Sequence, residues 1–258
     1  MSVRARAPGP TRQGGEMNDN ARSALAEFIG TFTLIFIGCG SVVMAGNLLP
    51  VGMGGGLVAI ALAHGIALAC IVSAIGHVSG GHVNPAVTAG LWVTGQIATS
   101  KAALYWVSQM LGALAGATAL KVVMPSALGD AVHLGTPALD SAMGIGAAVV
   151  LEAILTFFLV FIVYGTAVDS RGSFPMIAGL GIGLVLTFDI LAGGPMTGAA
   201  MNPARWFGPA VASGTWTDWW VWIVGPLAGG IIAGFVGKVV FAEGASGTSE
   251  AEKAAPAE

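Results

Sequence analysis

The tripeptide Asn-Pro-Ala occurs twice, at 84–86 and 202–204, and each copy opens an apolar stretch of about ten residues, near 84–94 and 202–212. At ~1.5 Å per residue, such a helix covers about half of the ~30 Å of hydrocarbon in a bilayer. Asn is a favoured N-cap and Pro fits the first helical position, so Asn84-Pro85 and Asn202-Pro203 read as helix starts. Six longer apolar runs surround them, at about 24–45, 57–75, 102–124, 143–165, 174–192 and 218–241. Several approach the ~20 residues that a spanning helix requires.

The two halves repeat one another. Glu27 in the first run is matched by Glu152 in the fourth, Asn84-Pro85-Ala86 by Asn202-Pro203-Ala204, and the stretch 108–112 by 225–229, in the same order. Each half holds three spans, an odd number, so the second copy enters the membrane upside down and the functional site falls near the midplane. The half helices then point their N-termini at each other. The expected fold is an all-α membrane protein with six transmembrane helices plus two half-membrane helices in an inverted repeat.

Composition agrees: 55% of residues are hydrophobic, 9% are charged and the mean hydropathy is +0.82, against roughly 25% charged in soluble domains. The domain is expected over 23–241, with repeats at about 24–128 and 143–241, between a flexible basic tail (1–22) and a disordered tail (242–258). With six alternating spans, eight of the ten cationic residues fall on one side with both termini, so both termini are expected to be cytoplasmic and the protein to be multi-pass in a plasma (inner) membrane. A net charge of -3 offers no basic patch for nucleic acid. Cys39 and Cys70 lie inside apolar runs as packing residues. The histidines at 64, 77, 82 and 133 show no metal-ligand spacing, so neither metal, cofactor nor enzyme chemistry is expected. Glycines at helical spacing, Gly112 and Gly116, Gly179 and Gly183, and Gly230 and Gly234, suit close helix packing, and Trp216, Trp219, Trp220 and Trp222 suit a water interface.

The segments Ser79-Gly-Gly-His-Val-Asn-Pro-Ala-Val-Thr88 and Gly198-Ala-Ala-Met-Asn-Pro-Ala-Arg205 closely resemble the paired signature of the major intrinsic protein family, the aquaporins and glycerol facilitators. The resemblance covers about 24–241, and the stretches around 190–198 and 206–211 look most like plant tonoplast intrinsic proteins. It implies an aquaporin-like right-handed bundle, a homotetramer in the lipid bilayer, and a passive pore in each subunit. Water and small neutral solutes would pass: ammonia, urea, glycerol or hydrogen peroxide. Protons and ions would not.

Each half helix would present an Asn amide and the positive end of its dipole to the pore centre, aligning one water and repelling cations. Arg205 costs about 2.5 kcal/mol or more if it faces lipid at a helix centre, so it is expected to face a wet cavity. By resemblance it belongs to an outer selectivity filter with His64, Ile190 and Ala199, a set wider and less polar than the water-specific one. His64 is expected to offer a solute a donor or an acceptor, according to its tautomer. His82 resembles a histidine at the cytoplasmic mouth. Trp206 stands where glycerol facilitators usually carry Asp. Glu27 and Glu152 are expected to brace the loops that carry the half helices. The roles of His77, His133 and Asp189 are left open. A coupled transporter with an intramembrane carboxylate is the competing class, since inverted repeats and broken helices occur there too.

Overall fold

The computed structural model describes residues 18–48, 55–169, 171 and 177–241. Nine α-helices occur among them: α1 (Asp19–Leu48), α2 (Gly55–Ser79), α3 (Pro85–Val93), α4 (Thr99–Val123), α5 (Ser126–Asp130), α6 (Ile145–Val163), α7 (Ala178–Thr197), α8 (Pro203–Ser213) and α9 (Val221–Val240). Helices α1, α2, α4, α6, α7 and α9 are long and apolar enough to cross a membrane, whereas α3 and α8 have nine and eleven residues. This is the expected pattern of six spans and two half helices.

The packing obeys the repeat. α1 lies on α2 and α4 as α6 lies on α7 and α9; α3 packs on α9 and α8 on α4, so each half helix is cradled by the opposite repeat. α2 meets α7, and α3 meets α8, across the pseudo-twofold axis. Backbone closeness depends on glycine where helices cross. A Cβ on Gly112 would strike the Phe28 backbone, and one on Gly229 the Ala153 backbone, at equivalent crossings in the two halves. In lipid, where apolar burial drives no helix association, such close van der Waals contact is a main source of cohesion.

Several helix boundaries differ from expectation by a few residues. α1 begins at Asp19, inside the stretch assigned to the basic tail; Asp19 suits the positive end of the helix dipole and pairs with Arg22 at 3.4 Å. The remainder of that tail, the C-terminal tail and the expected start of the fifth span at 174 lie outside the described residues. α7 runs past 192 to Thr197, with Pro195 inside it, and ends where Gly198 (φ 77°) returns its N–H to the Gly194 carbonyl at 2.9 Å. Pro195 lacks only its own donor, and the left-handed glycine closes the helix one turn later. The connection after α4 carries α5 and a 3₁₀ turn, His133–Gly135, which fold against α1 and α8.

Candidate functional site: a channel between the two half helices

Two irregular loops bring the N-termini of the half helices together. In the first, Gly80, Gly81 and Val83 have φ of 91°, 62° and 42°; in the second, Gly198, Ala199 and Met201 have 77°, 42° and 51°. Left-handed backbone is costly for a residue with a side chain, above all for β-branched Val83. Buried carboxylates hold both loops in that shape. Glu27 Oε1 accepts from the Ser79 hydroxyl (2.7 Å) and His82 N (2.9 Å), and Oε2 from Val83 N (2.6 Å) and Gln109 Nε2 (2.8 Å). Glu152 Oε1 accepts from the Thr197 hydroxyl (2.7 Å) and Ala200 N (2.9 Å), and Oε2 from Met201 N (2.8 Å). Every bond to these two side chains comes from a donor, the arrangement that suits an ionised carboxylate.

The outer braces repeat as well. Tyr105 donates its hydroxyl to the Ser79 carbonyl at 2.6 Å, and Trp222 its indole N–H to the Thr197 carbonyl at 2.9 Å. Trp222 is therefore a buried brace rather than an interface anchor, whereas Trp216, Trp219 and Trp220 are exposed as expected. The polar partners were legible only in part. Ser79 and Thr197 each stand five residues before their Asn, a signal that matching the two loops position by position would have caught.

Asn84 and Asn202 cap α3 and α8: Asn84 Oδ1 accepts from Ala86 N at 2.8 Å, and Asn202 Oδ1 from Ala204 N at 2.9 Å. Each amide also crosses to the other loop, Asn84 Nδ2 to the Met201 carbonyl (2.9 Å) and Asn202 Nδ2 to the Val83 carbonyl (3.0 Å). One N–H of each Nδ2 remains beyond these bonds, and both residues line the cavity. Pro85, Ala86, Pro203 and Ala204 occupy the buried first turns.

The cavity they line has a volume of about 280 Å³. Leu34, Leu68, Val87, Leu159, Ile182 and Leu186 are among its apolar lining; Asn84, Asn202, Arg205, His64, His82 and Gln96 supply the polar side chains, and no acidic side chain lines it. Ala199 is part of the lining as well. Ile190 is not: it is buried in the apolar core shared with Leu155 and Leu186.

Arg205 and His64 lie on the same cavity, as expected, and are bonded. Arg205 Nε donates to His64 Nε2 at 3.1 Å and Nη1 to the Gly135 carbonyl at 2.9 Å, while His64 Nδ1 meets the Ile60 carbonyl at 2.9 Å. A carbonyl only accepts, so Nδ1 carries the proton and Nε2 is the acceptor. Both ring nitrogens are thus occupied. This corrects the expectation that His64 offers a solute either hydrogen-bonding role. Gly135, whose φ is 73°, was not foreseen, because nothing in the sequence shows that the distant connection folds back to the arginine.

His82 also lines the cavity; its Nδ1 meets the Thr88 hydroxyl at 3.0 Å, and its ring stands edge-on to Tyr105. Trp206, the residue equivalent to Thr88 in the second repeat, is buried and stacked on Trp222. His77 and His133 are exposed and stand apart from this network. Among the described residues no group of three or more His, Cys, Asp or Glu could hold a metal ion. The cysteines are free, Cys39 buried and Cys70 exposed.

Six spans, two half helices meeting at their N-termini and a cavity lined by that junction are the architecture of a polytopic membrane channel. The family model for the major intrinsic proteins matches residues 16–237, and the chain belongs to that family, whose members form channels for water and small solutes. It is 48% identical over 219 residues to "Aquaporin TIP4-4" of Zea mays (83% of this chain, 84% of that protein). It is 46% identical over 225 residues to "Aquaporin TIP2-1" of Arabidopsis thaliana (85% and 87%). Among solved structures, the aquaglyceroporin from Plasmodium falciparum superposes with a TM-score of 0.77 at 25% identity, covering 86% of this chain and 97% of that one.

Proposed function

We propose that this channel passes water together with ammonia and urea, admits glycerol and hydrogen peroxide less readily, and excludes protons and ions. The observation that carries this reading is the polarity of the cavity: a largely apolar lining carries two asparagine amides and one arginine, all donors, with no carboxylate to attract a cation. Two helix N-termini add positive potential at the same level. Neutral molecules with an acceptor oxygen or nitrogen can be handed from donor to donor, while cations meet repulsion twice.

In this reading His64, Ala199 and Arg205 form the outer filter. His64 acts by holding Arg205 aside rather than by touching the solute, and Ile190 sets the shape of the opening from behind the wall. Asn84 and Asn202 are the central donors, and His82 lines the mouth toward the side proposed to be cytoplasmic and to carry both termini. We extend the proposal to a homotetramer with a pore in each subunit, supported by membership in the family. The TIP-type relatives stand against the plasma-membrane expectation, so the proposed placement is confined to an integral, multi-pass one.

The test is stopped-flow light scattering on proteoliposomes with water, ammonia, urea, glycerol and hydrogen peroxide in parallel. Low activation energy and independence of ion gradients are expected for every permeant. If water passes but ammonia and urea stay at the rate of empty vesicles, the wide-filter reading is wrong. Saturating flux that follows an ion gradient would replace the channel by a coupled transporter. Native mass measurement showing only monomers in mild detergent would remove the tetramer.

A further inference from the structure

The His64 ring is held beside Arg205 by more than its hydrogen bonds, because it lies directly against α1 at Gly38. A Cβ on Gly38 would strike His64 Nε2, the atom that accepts from Arg205, and would come within 2.6 Å of Cδ2 and 3.0 Å of Cε1. The three atoms nearest that place all belong to the imidazole. Gly38 is itself buried and is not part of the cavity lining. One residue on, α1 also backs the second acceptor of the guanidinium: a Cβ on Gly135 would stand 3.0 Å from the Cys39 carbonyl oxygen.

The inverted repeat supplies the comparison. Gly38 stands eleven residues after Glu27, as Val163 stands eleven after Glu152; His64 and Ile182 each precede their Asn by twenty, and Arg205 and Val87 each follow theirs by three. The crossing of α2 and α7 confirms this register, since a Cβ on Gly65 would strike the Gly183 carbonyl and one on Gly183 the Gly65 carbonyl. Much of the cavity lining is alike in the two halves: Leu34 matches Leu159, and Leu68 matches Leu186. Where the second half has Val163 and Ile182, and the first half has Val87, the filter has Gly38, His64 and Arg205. A valine at 38 would fill the space that the imidazole occupies.

We infer that Gly38 is a positioning residue that determines specificity: by lacking a side chain it seats the His64 ring with Nε2 toward Arg205, and so sets the place of the guanidinium without touching a solute. The proposal rests on the outer filter assigned above. A methyl at 38 meets the far end of a side chain, which can move, but the ring moves only by leaving the Ile60 carbonyl or the Arg205 Nε. Over-packing at this point therefore displaces the filter before it displaces the helices.

Two measurements decide this, on Gly38→Ala, on the double variant Gly38→Ala/His64→Ala, and on the control Gly40→Ala, whose methyl would make an ordinary contact 3.4 Å from Leu120 Cδ1. Solid-state magnetic resonance of the lipid-embedded protein, with arginine and histidine labelled, reads the contact of guanidinium and imidazole. The Arg205–His64 cross-peak, assigned by its absence from His64→Ala, is expected in the wild type and in Gly40→Ala and is expected to be lost from Gly38→Ala. An unchanged cross-peak in Gly38→Ala overturns the inference. In proteoliposomes, Gly38→Ala is expected to change the urea-to-water permeability ratio at least twofold, yet to leave the ratio of His64→Ala as it was, because the atoms it would strike are gone. An unchanged ratio in the single variant, or an equal change in both backgrounds, overturns it. If Gly38→Ala does not fold, folding of the double variant supports the seat and failure of both overturns it. Should wild-type urea flux stay at the empty-vesicle rate, the solute proposal fails and the same comparison is read in water permeability. Vesicles that carry no water would defeat the channel reading, while the cross-peak still decides the seat of His64.

Discussion

Arg205 and His64 form a donor–acceptor pair whose direction is fixed from outside the channel. The Ile60 carbonyl takes the proton-bearing Nδ1 at 2.9 Å, which leaves Nε2 to accept from Arg205 at 3.1 Å. Together with the Gly135 carbonyl, this fixes the guanidinium on the cavity lining.

Replacing His64 by Leu should therefore act through the arginine. A buried donor left without its acceptor costs about 1–3 kcal/mol, visible as a lower unfolding midpoint in detergent. The ratio of urea to water permeability should change in the same variant, because Arg205 gains freedom to cross the opening. The His64→Gln variant, whose side-chain oxygen can accept from Nε, should recover much of both. Leu and Gln variants indistinguishable from wild type would show that the bond has no role.

The crossed asparagines can be tested without disturbing the helix caps. Asn84→Asp or Asn202→Asp keeps the capping oxygen and replaces the crossing amide by a second acceptor, which then faces a carbonyl. Each substitution should cost about 1–3 kcal/mol and should raise proton flux, read by a pH-sensitive dye in the vesicle lumen, more than it changes water flux. A rise in water flux with proton exclusion intact would contradict the role given to the amides.

The spans, the half helices and the inverted repeat were legible because they depend on apolar length, the Asn-Pro start and the order of matched residues, all local properties. Asn84, Asn202 and Arg205 were legible because a polar residue beside a membrane-depth motif must find a wet cavity. What the chain did not disclose depends on distant contacts. The proton position on His64 follows from Ile60 and Arg205 together, and the Gly135 carbonyl arrives from a loop some seventy residues away. Pattern reading also placed Trp222 with its exposed neighbours, since periodicity alone does not separate the one indole that turns inward to Thr197.

The two glutamates should respond alike to loss of charge. In Glu27→Gln or Glu152→Gln one oxygen still accepts from the loop, but the amide nitrogen would face a backbone donor, Val83 N or Met201 N, at a strained left-handed residue. Bonds to a charged acceptor are worth about 1.5–3 kcal/mol, so both variants should lose folded yield and thermal stability on that scale. Wild-type stability in Glu152→Gln would mean that the second loop holds its shape unaided.

The last prediction concerns the helix crossings. Gly112→Ala would press its methyl into the Phe28 backbone and Gly229→Ala into the Ala153 backbone, neither of which can yield as a flexible side-chain end could. Over-packing of this kind costs about 1–3 kcal/mol, and the equivalence of the two crossings predicts similar losses on opposite sides of the bundle. Gly146, near the start of α6, has no neighbouring atom within 4 Å of the place a methyl would take and no unusual φ, so Gly146→Ala should be neutral or stabilising, the gain reaching about 1 kcal/mol. Unfolding midpoints of the three variants in one detergent give the comparison. The losses should leave the solute ratio of the surviving folded protein unchanged, because neither glycine lines the cavity. Equal stability of the 146 and 229 variants would show that the bundle does not depend on backbone contact at these crossings.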